Sequence, residues 1–371
     1  MSTHAAITAT GVKEPLTVTQ VPTPEPQENE VRVRIEWVPS APLDVYQVDA
    51  GLMAQFPQCL GDSGAGTVVA AGPGVESLRV GDRVLGFFFH NEKEKGQQVF
   101  VTGPEHLFGK VPTGVPLAAA ATLPTNVTTA FYTLSDKLGL SLPWPRPEGF
   151  SSKDQDAPVL IWGAGSSVGQ FAVQILKHWG YTNVIATASP KHHEKIKGYG
   201  AKHVIDYNTP DAVDSIQKIL ETESPSVPIR AFDCVASKFG SLQHIAKIAS
   251  LPGSIAAAVL PVVIRSPSDK DGIHLSADVA GEASWASGVE VHSVVSYAYE
   301  ANTFLKAHLQ PEIVPALLAS GAIEPNKYRV IEGDSLLQRA STAMDTLRSG
   351  TVSGERLVWR VWTPEEFPQF E

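Results

Sequence analysis

Apolar and polar residues alternate across 31–38 (VRVRIEWV), the period-two pattern of a strand with one buried face. Short apolar runs at 80–89 and 98–102, divided by Gly, Pro and Asn, predict further strands, so the first third of the chain reads as β with many turns. At 117 the pattern changes to LAAAATLPTNVTTAFYTL, helical spacing interrupted by Pro124. The stretch 141–158 (SLPWPRPEGFSSKDQDAP) is dense in Pro and Ser and predicts a loop excursion. Beyond Pro158 the rhythm is α/β. VLIW (159–162), VIAT (184–187), HVI (203–205), AFDCV (231–235) and SIAAAVL (254–260) predict strands. Helices are expected up to about 179, up to 199, over 213–220 and over 241–249. Such alternation implies a parallel sheet with right-handed crossovers. The tail RLVWRVW (356–362) is strand-like again and could rejoin the first region, making that domain discontinuous. No internal repeat or low-complexity segment interrupts the pattern.

Composition narrows the class. The 371 residues are 43% hydrophobic and 18% charged, a folded composition of two-domain length that needs neither disulfides nor metal to hold a core. Lys and Arg total 29 against 39 Asp and Glu, a net charge of -10, which disfavours nucleic acid and anionic membrane as partners. Two cysteines, Cys59 and Cys234, are too few for a disulfide framework or an all-cysteine zinc site, and read as reduced thiols. The start MSTHAAITATGVKEPLTVTQ lacks the pattern of a signal peptide, and the most apolar stretch, 255–264, is about half a membrane span. The tail EEFPQFE carries no peroxisomal or retention motif. A soluble, cytoplasmic protein is expected.

The candidate chemistry starts after VLIW. Gly163-Ala164-Gly165-Ser166-Ser167-Val168-Gly169 follows that strand and opens a helix, the context in which glycines give a tight turn and let a backbone approach a pyrophosphate. The last glycine comes one residue later than in strict G-x-G-x-x-G, and a Gly/Ser turn with no ligand is the plainer alternative. The next strand ends Thr187-Ala188-Ser189-Pro190-Lys191-His192-His193, without the carboxylate that would bind a ribose 2′-OH. A hydroxyl, a fixed cation and two imidazoles suit a 2′-phosphate, so NADPH is expected over NADH, and Tyr207 past the third strand could stack on adenine. The bland alternative is a solvated helix start.

A second glycine constellation, Gly61-Asp62-Ser63-Gly64-Ala65-Gly66-Thr67-Val68-Val69, is followed by Gly72, Val75 and Val80-Gly81-Asp82-Arg83-Val84. Together with the downstream nucleotide unit it resembles the medium-chain dehydrogenase/reductase superfamily, through to 353–358 (SGERLV). The resemblance implies an α/β fold: a Rossmann doubly wound parallel sheet over 126–309 and a GroES-like β-barrel catalytic domain built from 1–125 and 310–371. Zinc-dependent members carry Cys before the barrel and Gly-His-Glu at the signature start. Here those stretches are Ala41-Pro42-Leu43-Asp44-Val45-Tyr46 and Gly61-Asp62-Ser63, so no zinc is expected. Metal-free hydride addition to an activated C=C bond fits this pattern. Hydride goes to the β-carbon, charge moves to a carbonyl oxygen held by hydrogen-bond donors, and the α-carbon is then protonated.

Within that branch, ATASPKHHEKIKGYGAKHVIDY, SGERLVWRV and the Pro-rich excursion look most like fungal toxD-type trans-acting enoyl reductases, the group of the lovastatin-type enzyme. The resemblance implies reduction of an α,β-unsaturated acyl thioester on a polyketide synthase carrier, in secondary metabolism. It carries over nicotinamide-side contacts to Pro42, Leu43, Asp44 and Val45, and further cofactor contacts to Leu260, Pro261, Glu355 and Arg356. Ser166 to Gly169, Ser189 to His192 and Tyr207 match pyrophosphate, 2′-phosphate and adenine contacts. The substrate groove falls on Leu138, Gly139, Leu140, Ser141 and Leu142, on Pro143, Trp144, Pro145 and Arg146, and on Val291, His292, Ser293, Val294 and Val295.

No proton donor stands out. Tyr46, Asn126, Thr128 and Tyr132 border the site in relatives and could hydrogen-bond an enolate, while packing roles or a solvent proton fit as well. Arg146 and Lys153 are candidates for a basic face towards an acidic carrier. Two other functions stay open here: a free-standing NADPH quinone or enone reductase, and a cofactor-binding protein without turnover.

Overall fold

Val31, Val33 and Ile35 are fully buried while Arg32 and Arg34 between them are not, so the alternation in the sequence becomes one core-facing side of the strand Glu30–Pro39. The structure, a computed structural model, describes residues 2–370. It divides into two units, Met1–Thr125 with Pro267–Ile273 and Glu300–Glu371, and Asn126–Ser266 with His274–Tyr299.

In the first unit the strand Glu30–Pro39 is central to a seven-stranded sheet. It pairs antiparallel with Ser63–Ala71, with Phe100–Pro104 and with Arg356–Arg360. Val33 stands opposite Val68, and Trp359 opposite Val38. The last strand of the chain is thus stitched into the first region, because Leu357, Val358 and Trp359 bury their side chains in its core. Trp359 is fully buried, and its indole N–H donates to Ser40 Oγ at 2.9 Å. A three-stranded sheet, Thr17–Pro22, Thr3–Ala9 and Gln58–Cys59, completes the unit.

The second unit holds six parallel strands in the spatial order His203–Ile205, Val184–Thr187, Val159–Trp162, Arg230–Asp233, Ile255–Val259, Glu290–Val294. The order reverses between the third and fourth of these, which opens a crevice outside their carboxyl ends. The helix Ser167–His178 buries Phe171, Ala172, Val173, Ile175 and Leu176. Local expectations shift in three places. The strand at 80–89 contracts to Arg83–Phe87. Pro124 opens the helix Pro124–Tyr132 after the short helix Leu117–Ala120, since a first-turn position has no N–H to lose. The helix expected from 241 starts at Gln243, after a wide turn over Lys238–Leu242. Both cysteines are free and buried. Among the described residues no helix is long and apolar enough to cross a membrane.

Where the chain returns to the first unit, Glu300 meets two imidazoles and an ammonium: His90 Nε2 at 3.3 Å, His106 Nε2 at 3.2 Å and Lys306 Nζ at 3.2 Å. His90 Nδ1 lies 2.6 Å from Glu94 Oε2. Hydrogen bonds to Glu300 and Glu94 outweigh burial and raise the His90 pKa from 6.5 to about 9. A raised folded-state pKa stabilises the fold in full below pH 6.5, and the contribution fades as pH climbs through about 9. Thermal unfolding followed between pH 6 and 9.5 is therefore expected to show a falling Tm in the wild type and a flatter profile in His90→Gln. Parallel profiles in the two proteins would contradict this account.

Candidate functional site: a dinucleotide cradle and a buried charge cluster

The strand Val159–Trp162 ends in Gly163 at φ 80°, a left-handed conformation that suits glycine. Ser166 caps the following helix, its Oγ accepting the Gly169 N–H at 3.1 Å. A Cβ on Gly169 would lie 2.5 Å from the Gly163 carbonyl oxygen and 2.7 Å from Ala164 Cα, so the helix approaches the strand end as closely as bare backbone allows. The neighbouring strand locks the turn: Thr187 Oγ1 accepts the Gly163 N–H at 2.9 Å, and the Thr187 carbonyl accepts the Ala164 N–H at 2.8 Å. Gln170 Nε2 adds a bond to the Gly165 carbonyl at 3.0 Å. Ser167 and Val168, in the first helical turn, bring backbone N–H groups and the positive end of the helix dipole to the crevice. The sequence does not single out Thr187 as a turn partner, since a threonine ending a strand has no periodic signature.

Past Thr187 the structure brings the expected phosphate-side residues together. Ser189 Oγ lies 3.1 Å from Tyr207 Oη, and Tyr207 is 40% exposed. A Cβ on Gly165 would come within 3.2 Å of His192 Cδ2, so the imidazole packs over the glycine turn. Burial, and after it the charges of Lys191, Lys195 and His193, lower the His192 pKa. Pro190 starts the short 3-10 turn that carries Lys191 and His192. Glycines crowded to backbone contact, a free helix N-terminus and a hydroxyl pair beside cations fit the pyrophosphate and ribose of a nicotinamide dinucleotide. Leu260 and Pro261 follow the strand Ile255–Val259 at the same carboxyl edge.

The residues expected to shape the groove fall in two places of this unit. In the excursion Leu138, Leu140 and Leu142 are buried, with Gly139 and Ser141 exposed between them. Trp179 Nε1 donates to the Pro143 carbonyl at 3.1 Å and Tyr181 Oη to the Ser141 carbonyl at 3.3 Å, which ties the excursion to the helical layer. Trp144 is half-buried, whereas Pro145 and Arg146 are exposed. Val291, His292, Ser293 and Val294 lie in the strand Glu290–Val294 at the sheet edge, with Val295 just beyond it. Asn126, Thr128 and Tyr132 sit in the helix Pro124–Tyr132 and are all buried, at 5%, 0% and 4% exposure. The Lys137 ammonium stands 4.9 Å from the centre of the Tyr132 ring.

In the first unit the helix Pro42–Ala50 carries Pro42, Leu43, Asp44, Val45 and Tyr46. Asp44 is buried and closes the helix start, its Oδ2 accepting the Ala41 N–H at 2.8 Å. Burial, opposed by that bond and by Arg356 and reinforced by Asp62, raises its pKa to about 7. Asp62 Oδ1 accepts hydrogen bonds from Thr125 Oγ1 at 3.0 Å and Ser63 Oγ at 3.2 Å. Arg356 is buried within electrostatic reach of both carboxylates, and its Nε has no hydrogen-bond partner among the described residues. Glu355 instead pairs with Arg329 at 3.1 Å. Two carboxylates sharing a buried guanidinium do not make the Cys/His donor set that zinc takes, and a fixed cation among them opposes a second one. Burial raises the Tyr46 pKa, keeping its hydroxyl a hydrogen-bond donor. Cavities of about 330 and 470 Å³ also open in this unit, lined by residues such as Arg339 and Glu366 or Trp37 and Tyr328. Neither includes a residue of the glycine turn or of the Asp44 cluster.

Six parallel strands in doubly wound order with a glycine turn at the switch point define a dinucleotide-binding class of fold, here in one chain with a mainly antiparallel unit. Comparison with known families agrees. Residues 27–127 match the family model "Alcohol dehydrogenase GroES-like domain", and 167–256 match "Zinc-binding dehydrogenase". The chain is 30% identical over 335 residues to the trans-enoyl reductase himH of Aspergillus japonicus, covering 89% of each protein. To the trans-enoyl reductase tazE of Aspergillus terreus it is 36% identical over 239 residues, 62% of this chain and 75% of the relative. Among solved structures, CurK enoyl reductase superposes with a TM-score of 0.70 at 19% identity, over 96% of this chain and 99% of that one. An alcohol dehydrogenase superfamily protein from Novosphingobium aromaticivorans gives 0.73 at 22% identity, again over 96% and 99%. At these identities the two structures establish the shared fold. The chain belongs to the medium-chain dehydrogenase/reductase superfamily, in its enoyl reductase branch, and is an NAD(P)-type oxidoreductase.

The close approach at Gly169 has a measurable consequence. Gly169→Ala forces a Cβ into backbone at 2.5 Å, so the helix must retreat. Dinucleotide affinity is expected to fall at least about tenfold, with a lower Tm, as titration of intrinsic fluorescence and thermal unfolding would read. Unchanged affinity would rule out this turn as the cradle.

Proposed function

We propose that this protein is an NADPH-dependent, zinc-independent, trans-acting enoyl reductase that reduces an α,β-unsaturated acyl thioester carried by a polyketide synthase. The observation that carries this reading is the dinucleotide cradle flanked by Ser189, Lys191, His192 and Tyr207 in a chain similar over most of its length to proteins named trans-enoyl reductases. When bound, the dinucleotide supplies a hydride. The chain's part is to hold it and to stabilise charge. The N–H groups opening the helix Ser167–His178 take the pyrophosphate, and Lys191 with Ser189 takes the 2′-phosphate. Tyr46, half-buried where Asn126, Thr128 and Tyr132 are fully buried, is assigned the hydrogen bond to the enolate oxygen. The Asp44, Asp62 and Arg356 cluster supports replacement of the metal site by an internal ion group. The 138–146 excursion and residues 291–295 are assigned to the acyl chain, and Arg146 with Lys153 to an acidic carrier.

NADPH oxidation with a crotonyl-type thioester, free and carrier-loaded, beside a small quinone tests the reading. Thioester turnover improved by the carrier, with little quinone activity, is expected. Quinone turnover with silent thioesters would replace it with a free-standing quinone reductase. Lys191→Ala is expected to raise the KM for NADPH about ten- to hundredfold, the worth of a charge-assisted hydrogen bond, and to leave that for NADH unchanged. Equal losses with both dinucleotides would refute the 2′-phosphate assignment.

A further inference from the structure

Asp233 ends the strand Arg230–Asp233 with a carboxylate that is only 2% exposed and has no paired cation among the described residues. Three donors surround it instead. Oδ1 accepts the N–H groups of Val235 and Ala236, both at 2.9 Å, and Oδ2 accepts the Ser241 hydroxyl at 2.6 Å. The Ser241 oxygen in turn accepts the Ser237 N–H at 2.9 Å, so three consecutive backbone donors end on this one pair of side chains. Ala236 is held at φ 52°, a left-handed conformation that is unfavourable for a residue with a Cβ. Burial pushes the Asp233 pKa up to about 6 in spite of the three bonds. One turn thus carries a backbone strain and a charge without a counterion, a combination found where geometry serves function.

What the turn holds in place is the wall of the glycine cradle. A Cβ on Gly163 would sit 2.4 Å from Val235 Cγ2, so the valine side chain lies directly against the glycine backbone, and Val235 is 44% exposed on its other side. The Cys234 backbone N–H donates to the Trp162 carbonyl at 3.0 Å, which ties the turn to the strand that leads into the cradle. We infer that Asp233, through Ser241, is a positioning residue for dinucleotide binding: it fixes the 234–237 turn so that Val235 closes one side of the cradle at Gly163. The inference rests on the dinucleotide-dependent function proposed above.

The test compares dinucleotide affinity with fold stability in the wild type, in near-isosteric Asp233→Asn and in Ser241→Ala, using NADPH and NADH as probes. Both variants are expected to bind either dinucleotide about tenfold more weakly, one hydrogen bond's worth, while the folded protein keeps its far-ultraviolet circular dichroism. Adding Ala236→Gly to Asp233→Asn is expected to recover part of the affinity, because glycine takes the left-handed conformation without help. Variants that lose Tm and bind like the wild type would reduce Asp233 to a structural role and overturn the inference alone. A wild type that bound neither dinucleotide would overturn the proposed function, and the inference with it.

Discussion

The helix Ser167–His178 and the strand Val159–Trp162 meet at a distance where no side-chain carbon fits between them. That crowding at Gly163, Ala164 and Gly169 sets the direction of the helix, and with it the direction in which its first N–H groups face the crevice. The hydrogen bonds to Thr187 exist because the turn is this tight: its hydroxyl and carbonyl accept two successive N–H groups, of Gly163 and Ala164. His192 packs over Gly165 and Val235 against Gly163, so the end of the second strand and the turn after the fourth both lean on bare glycine backbone. A site built this way takes its shape from backbone, which has fewer ways to relax than side chains do.

The two units handle buried charge differently. In the first, Asp44 and Asp62 share the reach of the Arg356 guanidinium, and part of the charge of each group is balanced within the protein. In the second, Asp233 is balanced by hydrogen bonds alone. Desolvation raises the pKa of both Asp44 and Asp233, and in both cases backbone N–H groups oppose the shift. The His90, Glu94 and Glu300 group is a third arrangement, where partial exposure lets two carboxylates hold an imidazolium.

Much of the fold was legible because short apolar runs bounded by Gly and Pro have few places to go. VLIW and VIAT became strands over the same residues, and the 31–38 alternation became a strand with Val31, Val33 and Ile35 inward. Boundaries were less legible where local chemistry offers two solutions. Pro124 begins a second helix after a short one has ended at Ala120, and the 238–242 segment forms a wide turn before regular helix resumes. The pairing of Val262–Arg265 with His274–Ser276 leaves no pattern in the sequence, because its strands are four and three residues long and lack alternation.

The same division runs through the site. The glycine turn and the hydroxyl and cations after the second strand follow from residue type and spacing alone, since sterics and charge act on neighbours in the chain. Thr187 as partner of Gly163, 24 residues away, and His90 as partner of Glu300, 210 residues away, were decided by the tertiary structure. So was the meeting of Asp44 with Arg356, which needs the last strand to enter the sheet of the first. A hydrogen bond or an ion pair forms between groups that the packing of strands brings within about 3 Å, and a linear pattern carries the groups without saying which strands will be neighbours.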